Sequence, residues 1–283
     1  MSQRRGFKRS VTCWLVLLPL IALVLFPFAV MLSTALKPTS EVLQYPPHWI
    51  PHHVDWGTFA AMWQAADFGT ALLNSLAISI GATLLALIVS VPAAYGVARL
   101  AFAAKGAYRR FLLITQMLSP ILLVLGLFRM AAAVPLGDGT LVNTRIVVVV
   151  IYAAFNIAFA VWMLSAYFAS IPRDLEEAAW IDGCTKPRAV LSIFLPVAVP
   201  AIAVTAIVTF VNGWNEFTVA LTMLRSPEKQ TITLTVVNLV AGRYSVEWNQ
   251  VMAAALLATV PVAVLFAWVQ RYLVQGLTLG AVK

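Results

Sequence analysis

The sequence predicts an all-α membrane protein with six transmembrane helices and both termini in the cytoplasm. Hydrophobic residues make up 61% of the 283 positions, and charged residues only 11%. A soluble domain of this length does not need so much apolar surface, so the composition favours a polytopic membrane protein. Six apolar stretches are long enough to cross the hydrocarbon of a bilayer, which takes about 20 residues of helix.

The six predicted spans form a single transmembrane domain over residues 1–283. They lie at about 12–36, 71–97, 110–132, 146–168, 200–223 and 251–271. The first apolar run covers 11–36. It is far longer than the roughly 7–15 residues of a signal-peptide core, so we expect an uncleaved anchor. A more polar loop at 169–199 joins spans 4 and 5.

The orientation follows from the lysines and arginines between the spans. Thirteen of them lie in the N-terminal segment, the connections after spans 2 and 4, and the C-terminal tail, and six lie in the other connections. This difference predicts cytoplasmic termini and a cytoplasmic 169–199 loop. The net charge of +8 does not indicate a nucleic-acid partner, because the basic residues border the apolar runs.

Residue patterns typical of enzymes or metal sites are missing from the sequence. It has no phosphate-binding G-x-x-x-x-G-K-[ST] and no nucleophile elbow. His48, His52 and His53 lie in a segment rich in proline and aromatic residues, which favours a headgroup-level or partner-facing loop over a metal site. The predicted topology places Cys13 in a span and Cys184 in the 169–199 loop, so they cannot form a structural disulfide. We expect no metal, no bound cofactor and no enzymatic activity in this chain.

The 169–199 loop carries the densest group of acidic residues in the sequence. Four acids lie within nine positions: Asp174, Glu176, Glu177 and Asp182. Acids in the first turn suit the positive end of a helix, and the adjacent Ala178 and Ala179 leave a flat face for close approach. A polar helix between two membrane spans indicates a part that contacts another protein.

The same loop resembles the EAA loop of ABC-importer permeases. Glu177-Ala178-Ala179 is followed after three residues by Gly183 and after nine more by Ile193-x-Leu195-Pro196, without a gap or substitution. The resemblance implies a type I ABC-importer permease fold in which this loop forms a coupling helix that docks on a separate ATPase subunit. The coupling residues that it implies are Glu177, Ala178, Ala179, Asp182, Gly183, Ile193, Leu195 and Pro196. The alternative is an ordinary solvated loop helix.

Shorter motifs after span 1, at 92–102 and at 277–283 also resemble carbohydrate permeases of this class. The resemblance implies a multi-pass protein of the bacterial cytoplasmic membrane that translocates a mono-, di- or oligosaccharide. It also implies a second permease chain, expected to be different, and two ATPase subunits that hold ATP and Mg²⁺. An extracytoplasmic binding protein would deliver the sugar to the outer loops, notably 226–248.

The fifth predicted span has a polar stripe. Thr205, Thr209, Asn212 and Glu216 recur at spacings of four, three and four, which is one face of a helix. Counted from Pro200, Asn212 lies about 18 Å along the helix, near mid-membrane. Because an ionised carboxylate is costly there unless it faces water or a partner, Glu216 is a functional candidate.

The stripe and its neighbours suit a hydroxyl-rich substrate. Residues 212–217 resemble the WNEF stretch of sugar permeases, and amide and carboxylate groups beside an aromatic ring are a sugar-binding chemistry. The predicted pathway residues are Thr205, Thr209, Asn212, Trp214, Asn215 and Glu216, with Asn156 on span 4. Contact between two permease subunits is an open alternative for the stripe, and interhelical packing is one for Asn156.

Two other functional classes compete with an ABC-importer permease. An ion-coupled secondary transporter would use Glu216 as its proton carrier, but such proteins are often built from repeated halves and no internal repeat is evident. A non-transport scaffold would leave the polar stripe and the acidic loop unexplained. The sequence therefore favours an importer permease for a carbohydrate.

Overall fold

The computed structural model shows an almost entirely helical protein. It describes the backbone of residues 2–137, 139–241 and 246–281, and the side chains of residues 14–15, 17–137, 139–241 and 246–270. The predictions for Cys13 and for the 277–283 motif concern side chains outside these ranges.

The helices follow the apolar runs and the short polar segments between them. In chain order they are α1 (Ser2–Ala35), α2 (Thr39–Val42), α3 (Gly57–Ala65), α4 (Phe68–Arg99), α5 (Lys105–Gln116), α6 (Pro120–Ala133), α7 (Arg145–Ser170), α8 (Asp174–Ile181), α9 (Lys186–Ala189), α10 (Leu195–Asn215), α11 (Thr218–Met223), α12 (Ile232–Val240) and α13 (Trp248–Ala281). Two short strands, β1 (Pro135–Leu136) and β2 (Gly139–Thr140), pair antiparallel, with Pro135 opposite Thr140. A π-helical turn, Val190–Phe194, joins α9 to α10, and a 3-10 helix, Pro227–Lys229, precedes α12.

The described helices are those of a multi-pass membrane protein. Five are long and apolar enough to cross a bilayer: Leu17–Ala35, Phe68–Arg99, Arg145–Ser170, Lys186–Asn215 and Trp248–Gln270. A sixth crossing is present if α5 and α6 form one bent span. The predicted all-α membrane fold is confirmed, and the cytoplasmic placement of the termini stays a prediction.

The third predicted span, 110–132, differs from the structure because it is not one straight helix. The axes of α5 and α6 are bent by 96°. Pro120 begins α6, and Ser119 before it is extended, with φ −70° and ψ 131°. A proline disfavours helical geometry in the residue before it and lacks an N–H for the preceding turn, so the chain breaks here.

The fifth predicted span, 200–223, also has different ends. Its helix begins at Lys186 and ends at Asn215, so Ile193, Leu195 and Pro196 lie in the continuous helix and not in a loop. The π-helical turn directly precedes Leu195-Pro196, where the proline has no N–H to donate. At the other end Glu216 is extended, with φ −71° and ψ 129°, before α11 begins.

The chain divides into two compact units. The first joins Met1–Phe68 to Thr235–Val260, and the second joins Gly69–Leu234 to Pro261–Lys283. All predicted site residues belong to the second unit. Two buried hydrophobic clusters form its core, one around Ile78, Val148 and Tyr152, the other around Leu164, Phe168 and Phe194.

Polar contacts in the first unit order the histidine-containing segment after α1. Buried Lys37 donates to the backbone oxygen of His48, and the backbone N–H of His52 donates to buried Glu41 at 3.1 Å. Asn249 donates to the backbone oxygen of Lys37 at 3.2 Å. Among the described residues, no group of three or more His, Cys, Asp or Glu side chains is placed to hold a metal ion.

Candidate functional site

The acidic loop forms the short helix α8 between two long apolar helices. Asp174, Glu176 and Glu177 occupy its first turn, where acids are stabilised by the positive helix end. Gly183 ends the helix with φ +83°, a conformation that glycine adopts without strain. The N–H groups of Gly183 and Cys184 donate to the carbonyls of Trp180 and Ala179, at 3.1 and 2.9 Å, which is a Schellman motif.

The two faces of α8 differ in exposure. Glu177, Ala178 and Asp182 are exposed, and Ile181 is 86% exposed. Glu176 and Ala179, three residues apart on one face, are 4% and 3% exposed. The predicted contact surface therefore keeps Ala178 but not Ala179, which is packed against the rest of the chain. The exposed face is the part of α8 that is free to dock on another protein.

Glu176, which the EAA spacing does not single out, makes the closest polar contacts between α8 and α4. Its carboxylate lies 2.8 Å from Nε of Arg99, at the end of α4. The hydroxyl of Tyr95 donates to the same carboxylate at 2.7 Å. The sequence contains one signal for this contact, because Tyr95 and Arg99 are four residues apart and share a helix face.

A second candidate site is a cavity of about 300 Å³ beside α7 and α10. It is lined by Pro120, Tyr152, Phe155, Asn156, Asn212, Gly213, Asn215 and Glu216. Four of the seven predicted pathway residues meet here: Asn156, Asn212, Asn215 and Glu216.

A line of hydrogen bonds runs along one wall of this cavity. The Asn212 side chain donates to the Asn156 side chain at 3.0 Å, and Asn156 donates to the backbone oxygen of Tyr152 at 2.9 Å. The Tyr152 hydroxyl donates to the backbone oxygen of Glu216 at 3.2 Å. A cavity wall of amides beside the half-buried Phe155 ring can donate to, accept from and stack against a polar ligand.

The carboxylate of Glu216 caps a helix. Both of its oxygens accept from the N–H of Val219 at 3.0 Å, and one accepts from Ala220 at 3.4 Å. These N–H groups belong to the first turn of α11, where no intrahelical acceptor is available and the helix dipole favours a negative charge. Glu216 therefore does not continue the stripe of α10, because the helix ends one residue earlier.

The other three predicted pathway residues are packed inside the protein. Thr205, Thr209 and Trp214 are 0%, 1% and 4% exposed. The Thr205 hydroxyl donates to its own helix at Ala201, 2.8 Å away, and the Trp214 ring stacks on Phe210 with centroids 5.6 Å apart. None of the three lines the cavity, so the structure favours a packing role for them.

Comparison with known proteins connects this geometry to a transport family. Residues 86–279 match the model of the family described as "Binding-protein-dependent transport system inner membrane component". The chain belongs to this family. It is therefore a multi-pass permease of the cytoplasmic membrane and the membrane-spanning subunit of an ABC importer, as its acidic loop predicted.

Relatives of this permease match it over nearly their whole length. The trehalose transport system permease protein SugB of Mycobacterium tuberculosis is 33% identical over 277 residues, covering 97% of this permease and 98% of the relative. The diacetylchitobiose uptake system permease protein DasC of Streptomyces coelicolor is 28% identical over 258 residues, covering 91% of each chain.

A solved structure has the same fold. It is a chain of a bacterial ABC transporter involved in the import of the acidic polysaccharide alginate, with a TM-score of 0.73 and 21% identity, covering 95% of this permease and 98% of that chain. The fold and the family together disfavour the ion-coupled secondary transporter. The capping contacts also account for Glu216 without a proton-carrying role.

The cap assigned to Glu216 predicts a graded effect on stability. We expect Glu216→Ala to lower the free energy of unfolding by about 1 kcal/mol, because the first turn of α11 loses its acceptor. Glu216→Gln keeps one acceptor oxygen and should cost less. Thermal unfolding of the purified permease in detergent measures both. Glu228→Ala is the matched control, because Glu228 is exposed. Equal unfolding temperatures for Glu216→Ala and Glu228→Ala would contradict the capping role.

Proposed function

We propose that this permease translocates a carbohydrate and that the cavity beside α7 and α10 contacts it. The observation that carries the proposal is the amide pair Asn156–Asn212 on the cavity wall, with the half-buried Phe155 ring beside it. Amides exchange hydrogen bonds with sugar hydroxyls, and an aromatic ring packs on the apolar face of a sugar. The names of SugB and DasC, a trehalose and a diacetylchitobiose system, support this substrate class.

The size and surroundings of the cavity agree with a small neutral ligand. Its volume of about 300 Å³ is at the lower end of the range for small-molecule sites, roughly 300–1,000 Å³. No lysine or arginine is among its lining residues, which favours an uncharged sugar over a phosphorylated one. Asn212 and Asn215 are exposed in this single chain, so a second permease subunit could complete the site.

The partners in this proposal supply the energy and the substrate. A second permease chain, expected to be different, completes the pore, and two ATPase subunits hold ATP and Mg²⁺ and hydrolyse the ATP. An extracytoplasmic binding protein brings the sugar, which agrees with the family's description as binding-protein-dependent. This chain contributes no catalytic residue. The exposed face of α8, with Glu177, Ala178 and Asp182, is its contact with an ATPase subunit.

Transport would follow from two states of the assembled complex. Closure of the ATPase subunits draws the two coupling helices together and opens the cavity to the outside, and hydrolysis resets it. The sugar influences this cycle only by binding one state better than the other. The termini and α8 lie on the cytoplasmic side in this scheme, as the distribution of basic residues predicts.

Uptake by the reconstituted complex tests the proposed function. Proteoliposomes that contain this permease, its partner permease, the ATPase subunits and the binding protein should accumulate radiolabelled trehalose or diacetylchitobiose. Accumulation should require ATP, because the permease itself has no energy source. Uptake driven by a proton gradient without the ATPase subunits would contradict the proposal.

Substitution of Asn212 tests the cavity. We expect Asn212→Ala to raise the KM for uptake about 10-fold or more, because a lost hydrogen bond that leaves a partner unsatisfied costs about 1–3 kcal/mol. The control is Thr205→Val, which alters a threonine that the structure places outside the cavity. The KM for uptake is measured for both variants in proteoliposomes that contain equal amounts of assembled complex. Loss of complex assembly in Asn212→Ala, with unchanged KM in the complexes that form, would instead indicate a subunit contact.

A further inference from the structure

A buried ion pair joins α8 to the end of α4. Nε of Arg99 lies 2.8 Å from Oε1 of Glu176, and the two side chains are only 7% and 5% exposed. The second carboxylate oxygen of Glu176 accepts from the Tyr95 hydroxyl at 2.7 Å. The guanidinium also donates to the backbone oxygen of Ile171, at 2.7 Å, in the connection between α7 and α8. Nε of Arg99 and Oε1 of Glu176 are close without forming an aligned hydrogen bond, so each partner of the ion pair is held by its hydrogen bond to another group.

The Phe194 ring lies against the ion pair and connects it to α7 and α10. The Arg99 guanidinium carbon lies 5.2 Å from the ring centroid of Phe194, the last residue before α10. The rings of Tyr95 and Phe168 each meet Phe194 edge-on with centroids 5.0 Å apart. Phe194 is 1% exposed. The ends of α4 and α7, the helix α8 and the start of α10 thus meet at one packed point.

Apart from these contacts, α8 lies against the start of the next span, where Nζ of Lys186 is 5.7 Å from the ring centroid of Trp180. Glu177, Ala178 and Trp180 are exposed, and Glu176 and Ala179 are its buried residues. A buried ion pair is weak evidence for stability, because well-packed apolar residues of similar size often stabilise a fold as well or better. What fixes the direction is the hydrogen bonding of each partner to another group, because the Tyr95 hydroxyl orients the carboxylate and the Ile171 carbonyl orients the guanidinium.

We propose that Tyr95, Arg99 and Glu176 form a clamp that fixes the position of α8 on α4 and, through Phe194, on α10. The clamp makes a displacement of α8 move these two spans together. The three residues are positioning residues, because they contact neither the sugar nor ATP. The inference rests on the proposed docking of α8 on the ATPase subunit.

The test separates positioning from stability. Arg99→Met combined with Glu176→Met replaces the ion pair by apolar side chains and leaves no unpaired buried charge. We expect this double variant to assemble with its partners and to hydrolyse ATP within about 2-fold of the wild-type rate. The amount of radiolabelled trehalose moved per ATP hydrolysed should fall at least 10-fold, because α8 moves without carrying the spans.

Two single variants accompany the double variant. Tyr95→Phe keeps the ring against Phe194 and removes one hydrogen bond, so trehalose moved per ATP should fall by a smaller factor, about 3-fold. Arg110→Met is the matched control, because it makes the same substitution at an exposed arginine of α5, outside both the ion pair and α8. It should keep the wild-type ratio of uptake to hydrolysis.

A different ratio of uptake to hydrolysis is expected if the Arg99–Glu176 ion pair only stabilises the fold. The double Met variant would then move as much trehalose per ATP as the wild type once it has assembled, and this outcome would overturn the proposal. A parallel loss of hydrolysis and uptake at a constant ratio would overturn it as well.

If the wild-type complex moves no trehalose, that result counts against the proposed substrate and not against the clamp. Hydrogen exchange of the backbone amides then tests the clamp independently of transport. Exchange of residues 174–182 can be measured on the assembled complex without substrate or ATP. We expect at least 10-fold faster exchange in the double Met variant than in the control Arg110→Met. Equal exchange in the two variants would overturn it.

Discussion

Arg99 is the last residue of a 32-residue apolar helix, and its guanidinium is buried against Glu176 instead of extending into water. The cost of removing two charges from water is offset only where their geometry and additional hydrogen bonds are good. Tyr95, the Ile171 carbonyl and the Phe194 ring supply these contacts. The orientation of α8, and therefore which of its acids faces outward, depends on this arrangement.

The same requirement for satisfied polar groups shapes the cavity. Where α10 ends, a membrane-embedded chain must find partners for its free backbone groups. The carboxylate of Glu216 accepts from the first turn of α11, and the backbone oxygen of Glu216 accepts from the hydroxyls of Tyr152 and Thr233, both at 3.2 Å. Asn212 and Asn215 in the last turn of α10, together with Glu216 at the break, line the cavity.

Hydropathy and loop spacing were sufficient to predict the multi-pass helical fold and the family, because both depend on local patterns. The bend before α6 was also readable, since Ser119-Pro120 is a local signal. The break at Glu216 could not be predicted from the sequence, because no proline marks it. The hydroxyl that donates to the Glu216 backbone oxygen belongs to Tyr152, 64 residues away. Likewise the EAA spacing singles out Glu177, whereas the contacts of Glu176 with Arg99 and with Tyr95, 81 residues away, depend on the tertiary fold. Thr205 and Thr209 were predicted to line the pathway but are packed inside the protein. The packing of neighbouring helices, which the sequence does not show, decides which residues of a polar stripe line a cavity.

We propose that a neighbouring ATPase moves this permease through the exposed face of α8. Photo-cross-linking from a benzoylphenylalanine at position 177, in the assembled complex within a bilayer, examines that face directly. The account predicts one predominant cross-linked product, between this permease and the ATPase subunit. Cross-links to lipid alone, or a position 177 accessible only from the outer side of the membrane, would contradict it.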